Sequence, residues 1–222
     1  MTNNSGLTMD YNKNPQNIEQ QSFEIISQII AEERPSYRFV DEIQEKIIKR
    51  TIHTSADFEW LDILHFSPDV LGRITQALRN GCTIYTDTTM ALSGINKTQL
   101  ERLGCQWKCY IADPRAVDIA KTQGITRSMA AVDLAAQESG EKLFVFGNAP
   151  TALFRLLELY QQGVMTPAAV IGVPVGFVGA AESKQALAES HVPNIAALGR
   201  KGGSNIAAAI VNAILYHMRD AQ

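Results

Sequence analysis

His53 stands in the segment Lys49-Arg50-Thr51-Ile52-His53-Thr54-Ser55-Ala56-Asp57. An imidazole ordinarily titrates at about 6.5, so it can give or take a proton near neutrality. Arg50, three residues earlier, shares its helical face if the helix persists that far, and Thr54 follows directly. The same spacing also fits a helix-end histidine that does no more than bond the last carbonyls. His65, His191 and His217 rank lower, because they fall before a loop, among connection residues and in the last turn of the final helix. A second candidate is Gly199-Arg200-Lys201-Gly202-Gly203-Ser204, which joins flexible backbone and two cations to a serine at a helix start. Exposed N–H groups at the positive end of a helix suit a phosphate or a carboxylate. An ordinary strand-to-helix turn with solvated cations has the same composition. In Gly147-Asn148-Ala149-Pro150-Thr151, Asn148 or a neighbour is placed to cap the next helix. Arg127-Ser128 opens another helix and could hold an anion, and Asp87-Thr88-Thr89 and Asp113-Pro114-Arg115 follow short apolar runs.

Several familiar motifs are missing. No G-x-G-x-x-G follows a strand, since Gly172, Gly176 and Gly179 have the wrong spacing for a dinucleotide fingerprint. The last glycine loop lacks the order of a P-loop, and no G-x-S-x-G elbow occurs. Cys105, Trp107 and Cys109 alternate along an expected strand, so they share one face, which fits packing better than metal ligation. These residues favour a reaction with no nucleotide cofactor and no protein-bound metal.

The elements that must position these groups follow from periodicity. Ile18, Ile25, Ile26, Ile29 and Ile30 have helical spacing over 18–33, ahead of Pro35. A second helix is expected over 40–53, and Ser67-Pro68 reads as an N-cap and first helical residue of a helix ending near Gly81. Beyond it, short apolar runs at 82–86, 107–112, 143–147, 168–173 and 194–198 alternate with helical stretches. Strands separated by helices imply right-handed crossovers and a parallel sheet covered on both faces. The expectation is a three-layer α/β/α domain with a five-stranded parallel sheet and an N-terminal helical section. Residues 1–17 read as a polar, flexible tail and 18–222 as a single domain. In such a sheet ligands bind beyond the carboxyl ends of the strands, where the small and polar loops named above gather.

The chain has 222 residues, 45% hydrophobic and 19% charged, with a formal net charge of −3. That length suits one domain with a real core. The acidic balance argues against a nucleic-acid partner. Three cysteines fit a reducing compartment. No basic start precedes an apolar stretch, so no secretory leader is expected. Residues 159–181 carry no charge, yet their prolines and glycines read as a helix end, a buried strand and a loop rather than a membrane helix. A soluble, cytoplasmic protein is expected.

Taken together, these segments resemble the precorrin-8X methylmutase family of corrin biosynthesis. The specific pieces are Gly147-Asn148-Ala149-Pro150-Thr151-Ala152-Leu153-Phe154, the run from Gly172 through Phe177, Glu182 and Ser183 to Lys184, and the final Gly-Arg-Lys-Gly-Gly-Ser. Thr126-Arg127-Ser128 and Asp113-Pro114-Arg115 come in the expected order. Ser22-Phe23-Glu24-Ile25-Ile26 matches the first helix, and Arg50-x-x-His53 the histidine motif. Met90 is followed by Ala91-Leu92-Ser93-Gly94-Ile95, where the family usually has a valine after the methionine. The resemblance implies a flavodoxin-like fold, a homodimer, no cofactor, and an isomerase that moves a methyl group from C-11 to C-12 of a precorrin macrocycle. The substrate is precorrin-8X or cobalt-precorrin-8 and the product hydrogenobyrinate or cobyrinate.

His53 then carries the family's acid/base role, and Ser22 and Arg50 match its substrate contacts. Further substrate contacts are expected at Thr54, Asp87, Arg115, Arg127, Ser128, Asn148, Thr151, Lys201, Gly202, Gly203 and Ser204, because a macrocycle edged with carboxylates needs charge-assisted donors. Two other readings stay open at this point. A non-catalytic tetrapyrrole carrier would need the same pocket, and a nucleotide or phosphosugar binder would use the glycine loops.

Overall fold

The computed structural model describes residues 12–220, so most of the expected polar tail lies outside the described residues. The chain divides into two units, one up to Arg38 and one from Phe39 onward. The first contains α1 (Pro15–Glu33), whose N-cap Asn14 accepts from the N–H groups of Gln16 and Asn17. The helix therefore starts three residues before Ile18, inside the stretch read as tail. The Asn14-Pro15 pair is an N-cap and first helical residue, but the apolar period that betrays a helix only begins at Ile18.

The second unit opens with α2 (Glu42–Ser55), capped by Asp41, which accepts from the Gln44 N–H, with Glu42 and Glu45 in its first turn. It closes at Ala56, a left-handed residue whose N–H donates to Ile52 O. There follow α3 (Trp60–Ile63), β1 (Leu64–Phe66), α4 (Val70–Arg79), β2 (Thr83–Thr86), α5 (Thr89–Gly94) and α6 (Lys97–Arg102). Next are β3 (Gln106–Lys108), α7 (Pro114–Gln123), α8 (Arg127–Gln137), β4 (Lys142–Phe146) and α9 (Pro150–Gln161). The chain ends with β5 (Ala169–Gly172), α10 (Ala180–Glu189), β6 (Asn194–Ala197) and α11 (Ser204–Asp220).

The strands form a six-stranded sheet in the order β1-β6-β5-β4-β2-β3. β2 through β6 are parallel, and β1 runs antiparallel to β6, with Leu64 opposite Ala197. The sheet is thus mixed and mostly parallel, where five parallel strands were expected. β1 is only three residues long, too short to show a period, and pairing with β6 makes it a strand. Ser67 prolongs that pairing: its N–H donates to Asn194 O and its hydroxyl accepts from the Asn194 N–H. It is therefore not the cap of α4, which starts behind Asp69 in a left-handed conformation. The strand expected over 107–112 is confined to β3, because the Asp113 N–H turns back onto Tyr110 O. Cys105 precedes that strand, buried, and Cys109 follows it.

Alternation along the strands sorts the core into two layers. Tyr85, Phe144, Phe146 and Val170 pack with Val132, Leu153, Leu156 and Leu187 of α8, α9 and α10. Leu143, Val145 and Ile171, fully buried, point to the opposite face, where α4 and α11 cross β4 and β5. Each such side chain contributes about 1.5–3 kcal/mol of transfer free energy. α11 also packs along α2 and α5, and this contact builds the site.

Candidate functional site

β2 leads outward to β3, whereas β4, on its other side, leads toward β5 and β6. The ends of β2 and β4 thus meet where the strand order reverses, the place at which open α/β sheets leave a crevice. Asp87, only 3% exposed, fills it. One carboxylate oxygen accepts from the Gly147 N–H at 2.9 Å, and the other from Asn148 and Ala149, both at 2.7 Å. Ala149 has no capping side chain of its own, so Asp87 caps α9 from the neighbouring strand. Burial pushes its carboxyl up, against these N–H groups, which favour the charged form. Next to it, Thr88 caps α5 and shares a 2.7 Å hydrogen bond with the buried Ser204 hydroxyl. A Cβ on Gly147 would lie 2.6 Å from Ser204 Cα, so only glycine lets β4 and the start of α11 meet this closely.

A cleft of about 290 Å³ opens between α2 and α11. α2 buries Ile47, Ile48, Thr51 and Ile52, which leaves Arg50, His53 and Thr54 on the rim at i, i+3 and i+4. His53 is exposed, and Thr54 donates its hydroxyl to Arg50 O at 2.8 Å. α11 supplies the facing wall with Asn205, Ala208, Ala209, Asn212 and Tyr216. The Arg50 guanidinium lies 5.3 Å from the Tyr216 ring centroid, a cation–π contact. Asn212 donates to Gly94 O and accepts from the Asn96 N–H, both at 2.8 Å, and so fixes the α5–α6 link at the cleft's lip. A Cβ on Gly94 would come within 2.8 Å of Ala208 Cβ. The result is an open apolar floor with a titratable group and a cation on one edge and amides on the other.

The loop from β6 to α11 is pinned through its backbone. Arg200 O accepts from Gly176 N–H at 3.1 Å, and Gly203 N–H donates to Val173 O at 2.9 Å. A Cβ on Gly202 would fall 2.1 Å from Val173 O, so the chain passes there only as glycine. Lys201 forms ion pairs with Asp57 and with Glu59, the latter at 2.9 Å. Burial raises the Asp57 carboxyl, and the bonds from Lys201 and the Glu59 N–H outweigh that and leave it below the usual range. Arg200 places its guanidinium 5.7 Å over the ring of Phe177, which is 86% exposed.

The remaining expected residues lie outside this cleft. Ser128 lines a narrow recess with Asp87, Tyr110 and Phe146, and Arg127 before it is exposed. Thr151 shares a 3.0 Å hydrogen bond with Thr126, the cap of α8, and the Asn148 side chain is exposed. Arg115 forks onto Asp113 at 3.0 and 2.8 Å and lies over Tyr110, and that carboxylate holds its guanidinium above the usual range. Ser22 belongs to α1 in the N-terminal unit, where its hydroxyl donates to Ile18 O. The structure thus joins Arg50, His53 and Thr54 in one cleft, and Asp87, Gly147 and Ser204 in one interlocked knot. It ties Lys201 to the turn just after His53. Sequence reasoning missed Asn205, Asn212 and Tyr216. Their signal is a polar stripe at i, i+7 and i+11 on a helix that otherwise reads as core.

Three comparisons bear on what such a site does. The family profile described as precorrin-8X methylmutase matches residues 17–217. The chain is 66% identical over 214 residues to the cobalt-precorrin-8 methylmutase of Salmonella typhimurium, covering 96% of this chain and 100% of that one. It is 39% identical to the precorrin-8X methylmutase of a Sinorhizobium species, over 92% of this chain and 96% of that one. The crystal structure of precorrin-8x methyl mutase from Thermus thermophilus superposes with a TM-score of 0.81 at 34% identity, covering 92% of this chain and 98% of the other.

Proposed function

The chain belongs to the precorrin-8X methylmutase family, isomerases of corrin biosynthesis, and we propose that it moves a methyl group from C-11 to C-12 of cobalt-precorrin-8 to give cobyrinate, with His53 as the acid/base. The observation that carries this reading is the cleft. His53 stands exposed on its rim beside Arg50, over the small side chains of Ala208 and Ala209, which leave room for a flat ring face. A proton given by the imidazole to the conjugated macrocycle redistributes its π system and lowers the barrier to a 1,5-shift. The C-11–methyl bond breaks as the C-12–methyl bond forms, and the same imidazole takes the proton back. No group leaves, and nothing is oxidised. Positioned proton transfer of this kind contributes about 10²–10⁴-fold, and orientation in the cleft supplies the rest.

Arg50 is the first carboxylate fork, held flat by Tyr216. Arg200 and the backbone from Gly202 through Gly203 to Ser204 offer a second carboxylate site at the start of α11, the Gly203 N–H and the Ser204 hydroxyl serving to hold that start in place through Val173 O and Thr88. Arg127, Ser128, Asn148 and Thr151, around the starts of α8 and α9, offer contacts to further peripheral groups, Thr54 adds one on the cleft, and Ser22 is carried as a contact by the family resemblance alone. Asp87 acts by holding the loop that bears Asn148. Arg115 joins only by exchanging Asp113 for a substrate carboxylate, and Lys201 only by exchanging Asp57 and Glu59. The cobalt-bearing substrate is favoured by the name and 66% identity of the Salmonella relative. The metal belongs to the substrate.

The flavodoxin-like assignment is supported by the order of the five parallel strands, which counted along the chain run 2-1-3-4-5. A homodimer is supported by Val175, Phe177 and Val178, exposed together on the loop after β5. A cytoplasmic setting is supported by three free cysteines, and no helix among the described residues is long and apolar enough to cross a membrane.

The test is an incubation with cobalt-precorrin-8 in large excess and no added cofactor. Substrate and product are isomers of equal mass, so the reaction is followed by the visible spectrum. Conversion of many equivalents per chain is expected. A spectral change that stops at one equivalent would mark a carrier and overturn the reading.

A further inference from the structure

Lys184 is fully buried on the inner face of α10, where a leucine or methionine would be at home. Among the described residues no carboxylate pairs with it. Its ammonium donates instead to Lys201 O at 2.7 Å. An unpaired ammonium in a protein interior is costly, and burial alone pulls this one down to about 8. Lysine at this position is therefore a poor device for stability, and its one hydrogen bond points at the glycine loop.

That bond fills a gap in the loop's anchorage. Arg200 O is held by Gly176 and Gly203 N–H by Val173, both through the backbone. Between them Lys201 O is gripped by Lys184, while the Lys201 ammonium is drawn toward Asp57 and Glu59. The residue is thus clamped at both ends, and the clamp sets the course of the chain between Arg200 and Gly202. We propose that Lys184 is a positioning residue for substrate binding, acting through the Lys201 carbonyl to hold the loop that presents Arg200 and the start of α11. The proposal rests on the reading that this loop grips substrate carboxylates, and it deepens that reading.

Steady-state kinetics on Lys184→Met, Arg200→Ala and the double variant test it, together with amide exchange at Gly203 in the substrate-free protein. Lys184→Met should raise KM about five- to tenfold with kcat within twofold of wild type. Arg200→Ala should do the same, and the double variant should add little to either, because both act on one grip. Exchange at Gly203 should accelerate in Lys184→Met, and the melting temperature should not fall in step with KM. If Lys184→Met does not fold, the same readings are taken on Lys184→Gln, whose shorter amide removes the charge and the reach. A KM unchanged in the Lys184 variant but raised in Arg200→Ala would overturn the proposal and make Lys184 a packing residue. If KM moved in neither, the loop would not grip substrate and the proposal would fall with that reading; faster exchange at Gly203 would then show that Lys184 still orders the loop.

Discussion

Tyr216 lies against two guanidiniums, with Arg50 at 5.3 Å and Arg219 at 5.2 Å from its ring centroid. Each contact of this kind is worth about 0.5–2 kcal/mol, enough to hold Arg50 as a flat fork at the cleft edge. Tyr216→Leu should therefore raise KM several-fold with kcat little changed, while Tyr216→Phe keeps the ring and stays near wild type in the same steady-state assay. Lys184 makes a second residue-scale prediction, in stability. Its proton is held less tightly in the fold, at about 8, than in the unfolded chain, near 10.5. Between those values the unfolded state binds more protons, so stability rises with pH. The gain should reach about 2 kcal/mol between pH 7.5 and 9.5. Urea unfolding at the two pH values reads it, and Lys184→Met should show no such rise.

Elements decide where these groups can sit, and Asp87 shows how. It caps α9 from the end of β2, so the join between β2, β4 and α9 depends on one carboxylate. Asp87→Ala leaves three inward N–H groups without their acceptor and should cost at least 3 kcal/mol by chemical denaturation. Sequence reasoning had named Asn148 or a neighbour for that cap, because a cap supplied from 60 residues away leaves no local pattern. Of the four inner parallel strands, β4, β5 and β6 are legible as short buried runs closed by glycine, and β2 as one that opens behind Gly81. β1 is not, since three residues cannot show a period, and the apolar edge residues beyond Lys108 make β3 look longer in sequence than it is. Arg50 and His53 were legible because i, i+3 spacing on an amphipathic helix marks its open face. The α11 wall was hidden by its own hydrophobicity: Asn205, Asn212 and Tyr216 punctuate a helix in which Ile206, Ile210 and Ile214 proclaim core.

At the scale of the molecule, a chain with a net charge of −3 must attract a polycarboxylate through local fields alone. Arg50 stands on the His53 cleft, and Arg200 on the loop beside the exposed Phe177 and Val178. Those two apolar residues, 86% and 90% exposed, are the patch on which the proposed homodimer rests. Phe177→Asp with Val178→Asp should shift the protein from dimer to monomer in light scattering, with the fold intact by circular dichroism. The proposed proton transfer stands or falls with the imidazole, which His53→Ala removes. With saturating cobalt-precorrin-8, kcat should fall at least 100-fold while substrate still binds. A His53→Ala protein that turns over at the wild-type rate would rule out the imidazole as the proton donor.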